Sequence, residues 1–203
     1  MKSKVVGVVS VSEKVRLYIK GKPYLQEALE KNIVNYSALA RVIEGEMGGK
    51  NFDAIKAALM RLGRRFAKER RNAEQRMLKV VRASRLEMRD RIAVIISGGR
   101  LDVPAIASAK STSGYTYIID ERDADNVKNR NLLKVQAGLS MITIISQASL
   151  EDTPGVIAYF LSSLAAENIN VVEFVSCYRD TLLVFKDADV TKAIEILSGS
   201  LKV

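Results

Sequence analysis

The sequence contains no histidine and a single cysteine, Cys177. Without histidine, Ser-His-Asp and Cys-His nucleophilic catalysis, His-based zinc sites and a histidine pH switch are all excluded. One cysteine rules out an internal disulfide framework and leaves no metal-ligand spacing around it. Phosphate-cradling glycine motifs are missing too: there is no GxxxxGK[ST] run and no GxGxxG after a strand. Nor does any apolar run approach the roughly 18 residues needed to cross a bilayer. These absences argue against an autonomous enzyme and against a membrane protein. No cofactor or metal is implied, and a cytoplasmic location is expected.

What is present is a 203-residue chain, 48% hydrophobic and 27% charged, with room for one large domain or two small ones. The formal net charge of +9 is unevenly spread. Residues 1–100 hold 23 Lys/Arg against 10 Asp/Glu, and residues 101–203 hold 9 against 13. Halves of opposite sign suggest two jobs, with a polyanion as the natural partner of the first. The opening KSKVVGVVSVSEK places lysines before an apolar stretch. That stretch is short and lacks a small-x-small cleavage pattern, so it reads as a first strand or arm rather than a signal peptide.

The front half reads as helices. PYLQEALEKN (23–32) starts on Pro23, a residue favoured at the first helical position. YSALARVIEGEM (36–47) is periodic and ends at Gly48-Gly49. NFDAIKAALMRLGRRFAKERR (51–71) has Asn51 as a cap and Asp53 in its first turn. Ile55, Leu59, Leu62 and Phe66 form a narrow apolar stripe on this third helix, with Arg61, Arg64, Lys68 and Arg71 almost opposite. Gly63 sits between the stripes at a cost of about 1 kcal/mol relative to Ala, with no reason visible in the sequence. LKVVRAS (78–84) and RIAVIIS (91–97) are strand-like and joined by a polar LEMRD connection. GGRLDVPAIASAKSTSG (98–114) holds a short helix at most, YTYIID (115–120) is a strand, and ERDADNVKNRN (121–131) is a polar connector.

That order predicts a winged helix-turn-helix over residues 1–97. The 51–71 helix would enter the major groove, and a two-stranded ribbon would bring Arg82, Arg85, Arg89 and Arg91 to phosphate or minor groove. The predicted DNA contacts are Asn51, Lys56, Arg61, Arg64, Arg65, Lys68, Arg71, Arg85 and Arg89. Residues 61–91 carry 12 Lys/Arg against 4 acids, a concentrated patch. The competing reading is a solvated basic helix face supported by Glu69 and Glu74.

From residue 132 the pattern sharpens. LLKVQAG and SMITIIS are β-rich, an EDTPG turn follows, and a helix spans 155–167. NVVEFVSCY (170–178) and TLLVFKD (181–187) form strands across a tight Arg179-Asp180 turn. DVTKAIEILSGSL (189–201) is a helix with Val190, Ala193, Ile194 and Leu197 inward. The order is β-α-β-β-α, lacking only a last strand. Gly155 suits a close backbone approach and Pro154 stiffens the turn. Amides at the start of the next helix suit a carboxylate, and Asp152 suits an ammonium group. A plain structural turn would explain the same residues.

Residues 141–201, through TPGVIA, LAAENINV and VSCYRDTLLVF, resemble an ACT domain similar to the regulatory modules of aspartate kinases. The resemblance implies a ferredoxin-like βαββαβ fold, a small amino acid effector, and a homodimer or higher even-numbered oligomer. It also implies a pocket between the first loop and a neighbouring subunit's second strand, assigning Asp152, Thr153, Pro154, Gly155, Val156, Asn168 and Asn170 to the ligand. Asn168 and Asn170 could equally cap a helix and start a strand. RIAVIIS-GGRLDVPAIASA can be laid on MITIIS-QASLEDTPGVIAYF, as a degenerate first ACT copy near 92–136. Alternatively, helix 52–71 with strands 78–84 and 91–97 forms the α-β-β core of another ACT-like unit.

The expectation is therefore an α+β chain in three parts: a basic winged-helix-like domain (1–97), a connecting region (98–131) and an ACT domain (132–203). Such a chain resembles bacterial and archaeal regulators of amino acid metabolism that contain an ACT domain. Its expected role is that of an amino-acid-responsive DNA-binding regulator. The alternative is a non-catalytic allosteric subunit of an amino-acid biosynthetic enzyme, its basic face binding protein or RNA.

Overall fold

A computed structural model describes residues 10–127 and 131–202. The chain divides into two compact units, residues 1–75 and 76–203. The boundary falls inside a helix rather than in the 98–131 region, where a linker was expected.

The first unit is helical: α1 (Val11–Lys20), α2 (Pro23–Glu30), α3 (Tyr36–Met47) and the start of α4 (Phe52–Arg82). The strand or arm expected from the opening residues lies largely outside the described residues, and from Val11 the chain is helix. Ser10 caps α1 by accepting from the Glu13 amide, and Val15 and Ile19, four apart, enter the core. Asn35 caps α3 through the Ser37 and Ala38 amides, and Gly48, at φ +60°, ends it in a left-handed turn. The core joins Val15, Ile19, Leu29, Ala40, Ile43, Ile55, Ala58, Leu59 and Leu62, with Phe66 packed at its margin.

The expected wing is not formed. Residues 78–82 continue α4, because Met77, Val80 and Val81 meet the core of the second unit at helical spacing. The Ser84 hydroxyl closes the helix end on the Val80 carbonyl at 2.9 Å. The LEMRD connection is the first part of one long strand, β1 (Arg85–Ser97).

The second unit is a six-stranded antiparallel sheet in the order β2-β3-β1-β4-β6-β5. It comprises β1, β2 (Ala105–Ser111), β3 (Gly114–Asp120), the short α5 (Glu121–Ala124) and β4 (Leu132–Ile145). These are followed by α6 (Val156–Ala166), β5 (Glu173–Cys177), β6 (Asp180–Lys186) and α7 (Asp187–Ser200). The stretch laid against α6 in the proposed repeat, AIASA, is strand β2, so the 92–136 segment is not a second copy of the same fold.

β1 lies against β4 on the side opposite β6, with Arg85 paired to Ile145 and Arg89 to Met141. It thus fills the place of the last strand that the β-α-β-β-α order lacks. β1 is irregular between Arg89 and Ile92, and Arg91 adopts φ +53°. This bulge changes which parity faces inward. Leu86 packs on the helix layer, whereas beyond the bulge Ala93 and Ile95 join one cluster and Ile92 and Val94 the opposite one. α6, α7 and the end of α4 cover one face through Val81, Phe160, Leu164, Ala193 and Leu197. Among the described residues, no helix is long and apolar enough to cross a membrane.

Candidate ligand turn and basic helix

β4 delivers the chain to the turn. The Ser146 amide donates to the Arg179 carbonyl at 2.9 Å, and the buried Ser146 and Ser84 hydroxyls meet at 2.8 Å. A short 3-10 turn over Ala148–Leu150 then buries Leu150 in the helix-side core. The Thr153 hydroxyl donates to the Ser149 carbonyl at 2.6 Å, locking the loop, and Asp152 and Pro154 are exposed. Gly155 takes the N-cap position of α6 at φ +94°, ψ −13°. A Cβ there would meet nothing nearer than Met77 Cγ at 3.8 Å, so the left-handed φ, not lack of space, demands glycine. Its carbonyl accepts from Tyr159 at 2.8 Å, and Val156 behind it is buried. Glycine offers no side-chain acceptor, so the amides of the first turn of α6 have no cap.

Asn168 and Asn170 lie at the other end of α6, an 11-residue helix of about 16 Å. Asn168 adopts φ +61° just past the helix, where its amide donates to Ala165 and that of Ile169 to Leu164, each at 3.0 Å. It ends the helix in a left-handed turn. Asn170 is exposed ahead of β5. Within one chain Asp152, Thr153, Pro154, Gly155 and Val156 come together, and the two asparagines do not join them.

The basic residues separate into groups. Arg85 and Arg89 belong to β1 in the second unit, where Arg85 pairs with Glu87 at 3.4 Å and Arg89 with Asp120 at 2.9 Å. Their assignment to a DNA-contacting ribbon is corrected. Asp120 also accepts from the Arg122 side chain and amide, and these bonds, with Arg89, hold its carboxyl well below the usual carboxylate range. The Asn51 amide donates to the Glu44 carboxylate at 2.6 Å and its carbonyl accepts from the Ile55 amide at 2.9 Å, as at an N-cap position. Lys56 is half-buried beside the Phe52 ring.

On the outer face of α4, Arg61 donates to the Ser12 hydroxyl at 3.0 Å and Arg65 lies 3.7 Å from Glu69. These two line a cavity of about 330 Å3 with Ser10, Glu13 and Arg16. Arg64, Lys68 and Arg71 line a second cavity of about 420 Å3 with Asn32, Tyr36 and Gly63. Among the described residues, no carboxylate lies within ion-pair distance of these last three. Composition found the basic face, but its division into two grooves needs α1 and the α2–α3 turn in place.

A family model described as an ACT domain matches residues 134–199. This segment is an ACT domain. The match begins within β4 and stops within α7, so the strand completing the ACT sheet, β1, precedes the matched segment. No curated protein matches the chain. Among solved structures, a Vibrio cholerae protein of unknown function is 17% identical over 63% of this chain and 97% of its own, with a TM-score of 0.49. The aspartate kinase of Clostridium acetobutylicum is 12% identical over 57% of this chain and 34% of its own, with a TM-score of 0.49. The ligand-free regulatory subunit of aspartate kinase from Thermus thermophilus is 10% identical over 57% and 95%, with a TM-score of 0.46.

Proposed function

We propose that the chain is a non-catalytic regulator in which the ACT domain binds a small amino acid and the helical unit binds DNA. The observation that carries this reading is the partition of charge. Residues 1–75 hold 16 Lys/Arg against 8 Asp/Glu, a net +8, while residues 76–203, with the ACT domain, hold 16 against 15, a net +1. A near-neutral sensor joined to a strongly basic helical unit suits a small effector and a polyanion. The α3–turn–α4 arrangement supplies the two helices of a helix-turn-helix, without a wing. At the ACT turn the uncapped amides of α6 receive the effector carboxylate and Asp152 its ammonium group. A second copy is needed to bring Asn168 and Asn170 to that turn, because α6 holds them apart in one chain, so the regulator acts as a homodimer.

Thermal-shift screening against the twenty amino acids tests the sensor, since a ligand that binds only the native state raises its stability. The expected result is stabilisation by one amino acid or a few, and the loss of at least tenfold in their affinity in Asp152→Asn. DNA titration with and without that amino acid tests the output. Retention of duplex DNA unchanged by any stabilising amino acid would separate the two functions and refute the regulator.

A further inference from the structure

The two flanks of α4 are not equivalent, and their difference bears on how a polyanion would sit. On one flank Arg61 and Arg65 are engaged by Ser12 and Glu69, and Glu13 shares the same cavity. On the other, Arg64 donates only to the Met60 carbonyl, at 3.4 Å, and lines with Lys68 and Arg71 a groove whose remaining walls, Asn32, Tyr36, Gly63 and Ala67, carry no acid. These cations recur at i, i+4 and i+7, one stripe along the helix. From Arg64 to Arg71 the helix rises about 10.5 Å, so the three cations are spread over a length that reaches more than one phosphate of a strand.

We propose that the Arg64–Lys68–Arg71 groove is the phosphate-binding surface of the helical unit and seats the backbone of one strand of duplex DNA. The inference rests on the DNA reading given above and assigns that contact to one flank. Duplex DNA fits this surface better than other nucleic acids do. Single strands are held by stacking on exposed aromatic rings. The aromatic ring of this groove, Tyr36, is instead turned onto Gly63, its hydroxyl donating to Asn32 at 3.1 Å. The deep, narrow major groove of A-form RNA does not admit side chains, whereas that of B-DNA accepts a helix. Phosphate contacts of this kind set position and affinity rather than sequence preference.

The test compares two variants of the full-length chain that each lose two positive charges. One is Lys68→Ala with Arg71→Ala, and the other is Arg61→Ala with Arg65→Ala. Binding to a mixed-sequence DNA duplex is followed across a salt series, with the corresponding single strand and RNA duplex alongside. The expected result is that the groove variant loses at least tenfold in affinity and its log K against log[salt] slope flattens by about 2. The opposite-flank variant should retain a slope within about half a unit of wild type. Equal losses in both variants overturn the assignment while leaving DNA binding intact. Tighter binding of the single strand or RNA duplex than of the DNA duplex also overturns it. Failure of the wild type to bind any duplex at low salt overturns both this inference and the DNA reading beneath it.

Discussion

Gly63 is the residue whose purpose only the fold explains. A Cβ at this position would stand 2.5 Å from the Tyr36 hydroxyl and 3.4 Å from Cζ, so the glycine makes room for that ring. Gly63→Ala alone should therefore be near neutral, its helix-propensity gain of about 1 kcal/mol offset by displacement of Tyr36. In a Tyr36→Phe background the nearest clash is gone, and the same substitution should become stabilising by several tenths of a kcal/mol to about 1 kcal/mol. Denaturant melts of the four proteins check this, and equal effects in both backgrounds would refute the packing explanation. Thr181 is the converse case. Its hydroxyl is buried, with no hydrogen-bond partner among the described residues, on the sheet side that carries Leu183 and Phe185. Thr181→Val should raise stability by about 1 kcal/mol by removing an unsatisfied polar group at nearly constant shape.

Asp120 sets a pH dependence. Its carboxyl is depressed by Arg122, through side chain and amide, and by Arg89. A group depressed in the folded state adds stability above its unfolded value, near 3.9, and loses it as pH falls toward the folded value. The melting-temperature gap between wild type and Asp120→Asn should be full at pH 6 and narrow steadily below about pH 4. A gap constant down to pH 2 would show that the charge on Asp120 is immaterial.

At the scale of elements, periodicity succeeded where a segment is buried on one face. α3 was found at Tyr36–Met47 and the β4–α6–β5–β6–α7 succession in order, because each alternates or repeats cleanly. Three failures have physical causes. The Val80-Val81 pair is β-branched and apolar, which fits a buried helix end as well as a strand. β2 is built from Ala and Ser at the edge of the sheet, where pairing with β3 rather than propensity makes the strand. The first half of β1 is polar because β3 pairs only with Ile92–Ser97, leaving Arg85–Asp90 with one neighbour. At the turn, the Asp152–Val156 cluster was legible from its residues, but a left-handed φ at Gly155 was not distinguishable from a ligand's need for space. β1 also has an energetic role that can be measured. A fragment over 76–203 should unfold cooperatively as a monomer or defined oligomer. One over 130–203, with β4 stripped of its neighbour, should self-associate or aggregate through that open edge. Sedimentation of both at micromolar concentration decides, and a well-behaved monomeric 130–203 fragment would show β1 to be dispensable.

Across the whole molecule, the sequence displayed two charge regimes but concealed the border between them. Boundaries are usually read from glycine, proline or polar linkers, and here the division lies inside α4, between Gln75 and Arg76, where the composition is simply helical. The opposition of sign between halves also softens once the border moves: Arg76, Lys79 and Arg82 at the end of α4, with Arg100 and the small excess of base in β1, pass to the second unit, which becomes nearly neutral rather than acidic. Effector binding should act on this second unit. At a free amino acid concentration of 100 times Kd, its unfolding free energy should rise by about 2.7 kcal/mol. A chain that gains nothing from any of the twenty amino acids would deny the ACT domain its proposed ligand.

The position of β1 ahead of the ACT segment has a consequence for how the chain is made. Emerging from the ribosome at roughly 5–20 residues per second, β1 appears before either neighbour. β3 can engage Ile92–Ser97 first, but Arg85–Arg89 must wait until residues 141–145 of β4 have been synthesised. During that interval an apolar strand would be an invitation to the wrong partner. The waiting half instead reads RLEMRD, with Arg85, Glu87, Arg89 and Asp90 among its six residues. The charges that disguise β1 as a connector also give the unpaired half a polar surface, which disfavours mispairing while its partner is still being made.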